Sequence, residues 1–205
     1  MPYGLKRFQQ AESLHFITFS CYHRFPFLEA AAAKDIVEAA LEQVRQRHQA
    51  RIYAYILMPE HVHLPIDEPP RILLAQFLKA LKQTTSRKLR GDREQFWQHR
   101  YFDSNVYGDK ARSEVIRYIH RNPVKRGLVE KPEDWAWSSF RHYATGVKGT
   151  VEIESQWTAQ RRGNQLPDGV RLKEGERSCF PTQAACGPKN EAGDGSSARS
   201  SQRTR

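Results

Sequence analysis

The stretch RIYAYILMPEHVHLPI, residues 51–66, restricts the fold more than any other part of the chain. Two runs rich in β-branched and aromatic residues stand either side of Pro59 and Glu60, which reads as a strand, a turn and a second strand folded back as a hairpin. A helix is expected before it, because from Ala30 to about Arg47 the residues Ile36, Val37, Ala40, Leu41 and Val44 recur at helical spacing. Another is expected after it, from Ile72 to about Leu89, where Leu73, Leu74, Phe77, Leu78 and Leu81 form one apolar stripe. Outside those helices lie two further β-type runs, Leu14 to Tyr22 and, with weaker alternation, Gln95 to Tyr107. A third helix should run from about Asp109 to Arg121 and end near Asn122, since Pro123 disfavours helical backbone in the residue before it. The order β, α, β, β, α, β, α predicts an α+β, ferredoxin-like split βαβ arrangement, an antiparallel sheet with helices packed mainly on one face.

The chain has 205 residues and is 39% hydrophobic, enough for one core with part of the sequence left unpacked. That part starts near Gln156, where Gly, Pro, Ser and Arg are scattered without an apolar period, so residues 156–205 are expected as a disordered basic tail behind a domain of residues 1–150. The formal charge is +10, and the segment Arg71 to Arg126 alone holds fourteen Lys and Arg against five acids. Such a field draws polyanions, nucleic acid first among them; the alternative is a solvated basic face on an ordinary enzyme. Cys21, Cys179 and Cys186 make no CxxC pair, which suits a reducing cytoplasm. No apolar leader and no run long enough to cross a bilayer is visible, so a soluble cytoplasmic, nucleoid-associated protein with no membrane partner is expected. A Gly-rich phosphate loop is also missing, and with it any sign of a nucleotide cofactor.

In a strand, His61 and His63 project from one face while Val62 points to the other. On spacing alone they read equally well as two surface histidines on an edge strand or as two metal ligands. Helical HExxH geometry does not apply, and no cysteine lies near enough in sequence to close a structural zinc site. Two imidazoles and an oxygen-bearing third group would leave open positions for Lewis-acid chemistry on a substrate oxygen. In RYIHRNPVKRGLV, Tyr118 and Asn122 are one helical turn apart and can share a face. From the residues alone, however, Tyr118 reads as packing beside Val115 and Ile119, and Asn122 as a helix cap before proline.

Taken in order, MPEHVHL, YIHRNPVKRGLV and PEDWAWSSFRHY resemble the HUH-type single-tyrosine transposases of small bacterial insertion sequences, particularly the branch associated with repetitive extragenic palindromes. The resemblance runs from about Tyr3 to Tyr143. It implies that His61, His63 and Asn122 hold Mg²⁺ or Mn²⁺ and that Tyr118 is the nucleophile. The implied reaction is nicking and rejoining of single-stranded DNA at hairpin or palindromic elements through a 5′-phosphotyrosine. It leaves both a monomer and a homodimer open.

Basic residues are then expected to hold phosphates on both sides of the cut: Lys79, Lys82, Arg87 and Lys88 on the second helix, and Arg112, Arg117, Arg121, Lys125 and Arg126 around the third. Of the aromatics Phe96, Trp97, Tyr101 and Phe102, some could stack bases, but Trp97 and Phe102 above all are expected in the core. WAWSSF, Trp135 to Phe140, is expected as a packed C-terminal closure. Two positions depart from the family pattern. Glu60 replaces the asparagine frequent in relatives, and Pro65 interrupts a strand, which is tolerable on an edge or where no ladder donor is needed. Two other functions compete: a non-cleaving nucleic-acid-binding protein of the same fold, and a metal-dependent hydrolase of small phosphate esters.

Overall fold

The computed structural model describes residues 14–163, which form a four-stranded antiparallel sheet flanked by helices. In chain order come β1 (Leu14–Ser20), α1 (Ala31–His48), β2 (Ile56–Leu57), β3 (His61–Ile66), α2 (Leu74–Leu89), β4 (Phe102–Val106) and α3 (Gly108–Lys125), then α4 (Phe140–Thr145) and α5 (Gln156–Gly163). The strand order β2-β3-β1-β4 is the split βαβ arrangement, with β1 and β3 central.

Alternation along the strands divides the sheet into two unlike faces. Ile17, Phe19, Val62, Leu64 and Ile66 turn to one side and join Val37, Leu41, Phe77, Leu78 and Leu81 of α1 and α2 in the main core. Phe16, Ile56 and Met58 turn to the other and meet Ile116 and Ile119 of α3 in a smaller cluster. The third helix is thus the exception to one-sided packing, and it covers the face that carries the histidines.

Pro65 lies on an inner strand, paired with Phe16 of β1, so the edge position that would excuse it does not apply. Opposite it, β2 is regular only at Ile56–Leu57 instead of over the predicted residues 51–58, with an isolated bridge at Ile52. Tyr53 gives its N–H to the Pro65 carbonyl at 2.9 Å. Its own carbonyl, facing a proline that has no N–H, takes the Tyr143 phenol at 2.6 Å instead.

Two boundaries also differ from the sequence expectation. Pro123 sits inside α3, which continues to Lys125. Pro123 has no N–H to give the Ile119 carbonyl, and the burial of Pro123 and Asn122 offsets that loss and the local preference. At the C-terminal side, Val151 and Ile153 enter the main core and Gln156–Gly163, expected in the tail, forms α5 with Thr158 buried. Gly146 shows why α5 can close down there: its φ is +70°, and a Cβ at that position would lie 3.1 Å from the Trp157 ring. The rest of the expected tail, residues 164–205, lies outside the described residues, as do Cys179 and Cys186.

The aromatic expectations divide. Phe96 and Trp97 are buried, Trp97 Nε1 donating to Thr85 Oγ1 at 2.8 Å, whereas Phe102 is 48% exposed at the outer end of β4. The WAWSSF segment does close the fold: Trp135 Nε1 donates to the Leu57 carbonyl at 3.0 Å and Trp137 Nε1 to Asp35 at 2.8 Å. A buried polar tie holds the far end of the sheet, where His15 Nδ1 of β1 meets Asp103 of β4 at 2.8 Å and its Nε2 lies 3.6 Å from Glu68.

Candidate functional site

β3 carries His61 and His63 on the face opposite the main core, both buried, with their Nε2 atoms 3.0 Å apart. Each ring is fixed through its other nitrogen. His61 Nδ1 lies 2.9 Å from Glu60 Oε1, and His63 Nδ1 lies 2.7 Å from Thr18 Oγ1 on the neighbouring β1. With the proton on Nδ1 in both rings, two Nε2 lone pairs face each other, an arrangement that costs energy unless positive charge sits beside them. Burial favours the neutral rings needed for this: it pushes His61 below its ordinary value and, aided by His61 and Arg24, takes His63 down to about 3.

The third group arrives from α3. Asn122 is buried and its amide lies 3.0 Å from His63 Nε2, so it is no helix cap; turning the amide over would present Oδ1 at the same place. An octahedral ion about 2.1 Å from its donors separates adjacent ones by about 3 Å, so these separations fit a divalent cation. Two neutral imidazoles and an amide oxygen could therefore hold Mg²⁺ or Mn²⁺, with His softer than magnesium favours. Among the described residues no group of three or more His, Cys, Asp and Glu is arranged for a metal, so this mixed set is the candidate.

One helical turn before Asn122, Tyr118 is 45% exposed, not packed in the core. Its ring is 5.8 Å from the His63 ring and 6.2 Å from Phe16, which itself stacks on His63 at 5.4 Å. Tyr118 and Asn122 both lie within α3, which holds them four residues apart in helical register. Within this one chain, His61, His63, Asn122 and Tyr118 lie together. His120, between them in sequence, points away: its Nε2 is 2.8 Å from Ser139 Oγ, and burial takes it down to about 3.

The basic residues fall into three groups. Lys125 Nζ stands 5.4 Å over the Tyr118 ring, and Arg117 and Arg121 are exposed on the same helix. Arg126 and Arg112 are paired, Arg126 with Glu60 and Arg112 with Asp109. Lys79, Lys82, Arg87 and Lys88 belong to α2, across the sheet from the histidines. Lys82 is tied to the fold, its Nζ donating to the Gln98 carbonyl at 2.9 Å while burial lowers it to about 8.

Sequence reading missed three contributors. Thr18 orients His63 from another strand, and no sequence pattern announces it. Glu60, noted only as a departure, buttresses His61; Arg126 and His61 outweigh its burial and hold it below the ordinary carboxylate range. Arg24 follows β1 in a turn where His23 and Arg24 have φ of 51° and 58°, and its charge is felt by both imidazoles. Consecutive left-handed residues that are not glycine cost about 1–2 kcal/mol each, a cost that the contacts around the turn must offset.

Comparison with known proteins adds an independent line. A family model described as "Transposase IS200 like" matches residues 9–122, a span that ends on Asn122 and includes both histidines and Tyr118. The chain is 28% identical over 111 residues to a REP-associated tyrosine transposase of Escherichia coli (strain K12), covering 53% of this chain and 66% of that one. It is 28% identical over 116 residues to a Haemophilus influenzae protein provisionally given the same name, covering 50% and 65%. It thus spans just under two thirds of the length of these curated relatives. The solved structure of a REP-associated tyrosine transposase bound to a REP hairpin superposes with a TM-score of 0.61 at 21% identity, covering 74% of this chain and 92% of that one, a likeness of fold. No helix among the described residues is long and apolar enough to cross a membrane.

Proposed function

Because the chain belongs to the IS200-like transposase family, we propose that it nicks and rejoins single-stranded DNA with Tyr118 as nucleophile, at sites next to a hairpin. One observation carries this reading: an exposed phenol stands against His63, on the same helix as an asparagine amide 3.0 Å from that histidine. A divalent ion held by His61, His63 and Asn122 would draw charge from a non-bridging oxygen of the scissile phosphate.

Tyr118 then supplies the attacking oxygen. Its Oη forms a bond to phosphorus as the bond to the 3′ oxygen breaks; the phenol proton departs and the 3′ oxygen gains one, leaving a 5′-phosphotyrosine and a free 3′-hydroxyl. The link retains the phosphodiester's energy, so a second 3′-hydroxyl can displace the tyrosine and reseal the strand without ATP. Glu60 and Thr18 keep the two imidazoles aimed during both steps. Arg24 and Lys125 add positive charge where the phosphate must sit. His120 does not take the phenol proton, since its Nε2 is engaged with Ser139. A hairpin beside the cut is proposed because the solved relative of this fold holds one.

The test uses 3′-labelled single strands from the DNA flanking the gene, incubated with the full chain and Mn²⁺ and resolved on a denaturing gel. A labelled covalent adduct is expected, and Tyr118→Phe should remove it without altering the circular dichroism spectrum. An adduct that survives the substitution refutes the role of Tyr118. Tight binding with no adduct from the unaltered chain would favour a non-cleaving nucleic-acid-binding protein instead.

A further inference from the structure

Beside the candidate site, between β4 and the first turns of α3, runs a groove of about 620 Å³. Phe16, Val106 and Val115 line it, as does Tyr107, which is 65% exposed. Tyr118 belongs to both the groove and the candidate site, so whatever enters the groove lies next to the phenol.

We propose that this groove takes one unpaired nucleobase flanking the scissile phosphate, and that it prefers a base with an amino group on its Watson–Crick edge, adenine, cytosine or guanine, over thymine. This rests on the reading that Tyr118 attacks single-stranded DNA. The volume lies within the range of small-ligand sites. Aromatic and aliphatic lining suits the face of a base, and stacking of unpaired bases on Tyr and Phe is how single strands are commonly held. The charge of the lining decides what part of the strand enters. In a protein of net charge +10, the one formally charged residue among those lining the groove is Glu114. A carboxylate repels phosphate, and it accepts hydrogen bonds from the amino group of adenine or cytosine or the N–H groups of guanine. Thymine has no amino group there, and its single N3–H lies between two carbonyls that repel the carboxylate.

Affinity, not turnover, reads this out. The full chain, without added metal, is titrated into fluorescein-labelled octathymidylate, into versions with one central dA, dC or dG, and into a wholly abasic octamer, and anisotropy is followed. A single dA, dC or dG should tighten binding about fivefold over all-thymine. Glu114→Ala should abolish that preference without weakening binding to octathymidylate. Tyr107→Ala should weaken binding to every base-bearing strand about tenfold and leave the abasic strand nearly unchanged. The proposal is overturned if the unaltered chain binds all these strands alike, or if Glu114→Ala keeps the preference. A dimer in sedimentation that Tyr107→Ala dissolves would assign the face to a second copy of the chain and also overturn it. An adduct at Tyr118 without base preference sinks the groove alone; base preference without an adduct sinks the cleavage reading and leaves the groove standing.

Discussion

The two faces of β3 behave as two different materials. Val62, Leu64 and Ile66 are fully buried under α1 and α2, in a core without polar groups at those positions. Their neighbours His61 and His63 are nearly as buried, yet every ring nitrogen has a polar partner. A strand sealed on one side by hydrocarbon is stiff enough to hold two imidazoles 3.0 Å apart on the other. The difference teaches that the apolar face carries the stability and the polar face, opened toward α3, carries the candidate chemistry.

The sharpest way to break that division is to cut each face at adjacent positions. His63→Ala should abolish nicking while shifting the melting temperature little. Leu64→Ala should cost about 3 kcal/mol of stability, by denaturant titration, and leave nicking per folded molecule nearly intact. Equal damage to both properties by either change would erase the distinction between the faces.

A polar group can also serve stability, and His15 tests that limit. It is fully buried between Asp103 and Glu68, and the hydrogen bond to Asp103, opposed by burial, raises it above its ordinary value of 6.5. Since the folded protein holds this proton more tightly than the unfolded chain, its contribution is complete below about pH 6.5 and is lost as the pH climbs through the raised folded value. His15→Gln should cost about 2 kcal/mol at pH 6 and flatten this part of the stability profile in urea titrations. Nicking should be spared.

Within the polar face, Glu60→Ala should weaken Mn²⁺ binding, read by calorimetry, about 10–100-fold by freeing the His61 ring. Unchanged affinity would mean that Glu60 is no buttress. The smallest effect is expected from Arg24→Gly, which relieves a left-handed backbone and should stabilise the fold by about 1 kcal/mol while slowing nicking. A rise in stability with full activity would strip Arg24 of its proposed role at the phosphate.

Much of this was legible in one dimension. Periodicity located α1 and α2 to within a residue or two, and strand alternation placed His61 and His63 on a common face. These are properties of local geometry, set by 3.6 residues per helical turn and two per strand repeat. Where sequence reasoning failed, a distant partner had intervened. Pro123 was expected to end a helix that runs on to Lys125, and Pro65, expected at an edge or where no ladder donor is needed, meets only the second condition: it lies inside the sheet, and the Tyr143 phenol serves the Tyr53 carbonyl that a proline cannot. Tyr118 and Asn122 read locally as packing and cap, since spacing cannot say which way a helix faces.

By itself, then, the sequence determined the order of elements, the basic character of the chain and the shared face of the two histidines, because each depends on neighbours a few positions apart. Only the tertiary structure decided that α3 crosses the open face and brings Asn122 within 3.0 Å of His63, that Thr18 and Glu60 fix the rings, and that Lys82 and Arg126 are engaged within the fold. Those relations join residues up to 66 positions apart, and they arise because packing helices on both faces of the sheet leaves each polar group to find a partner in whatever segment lies beside it.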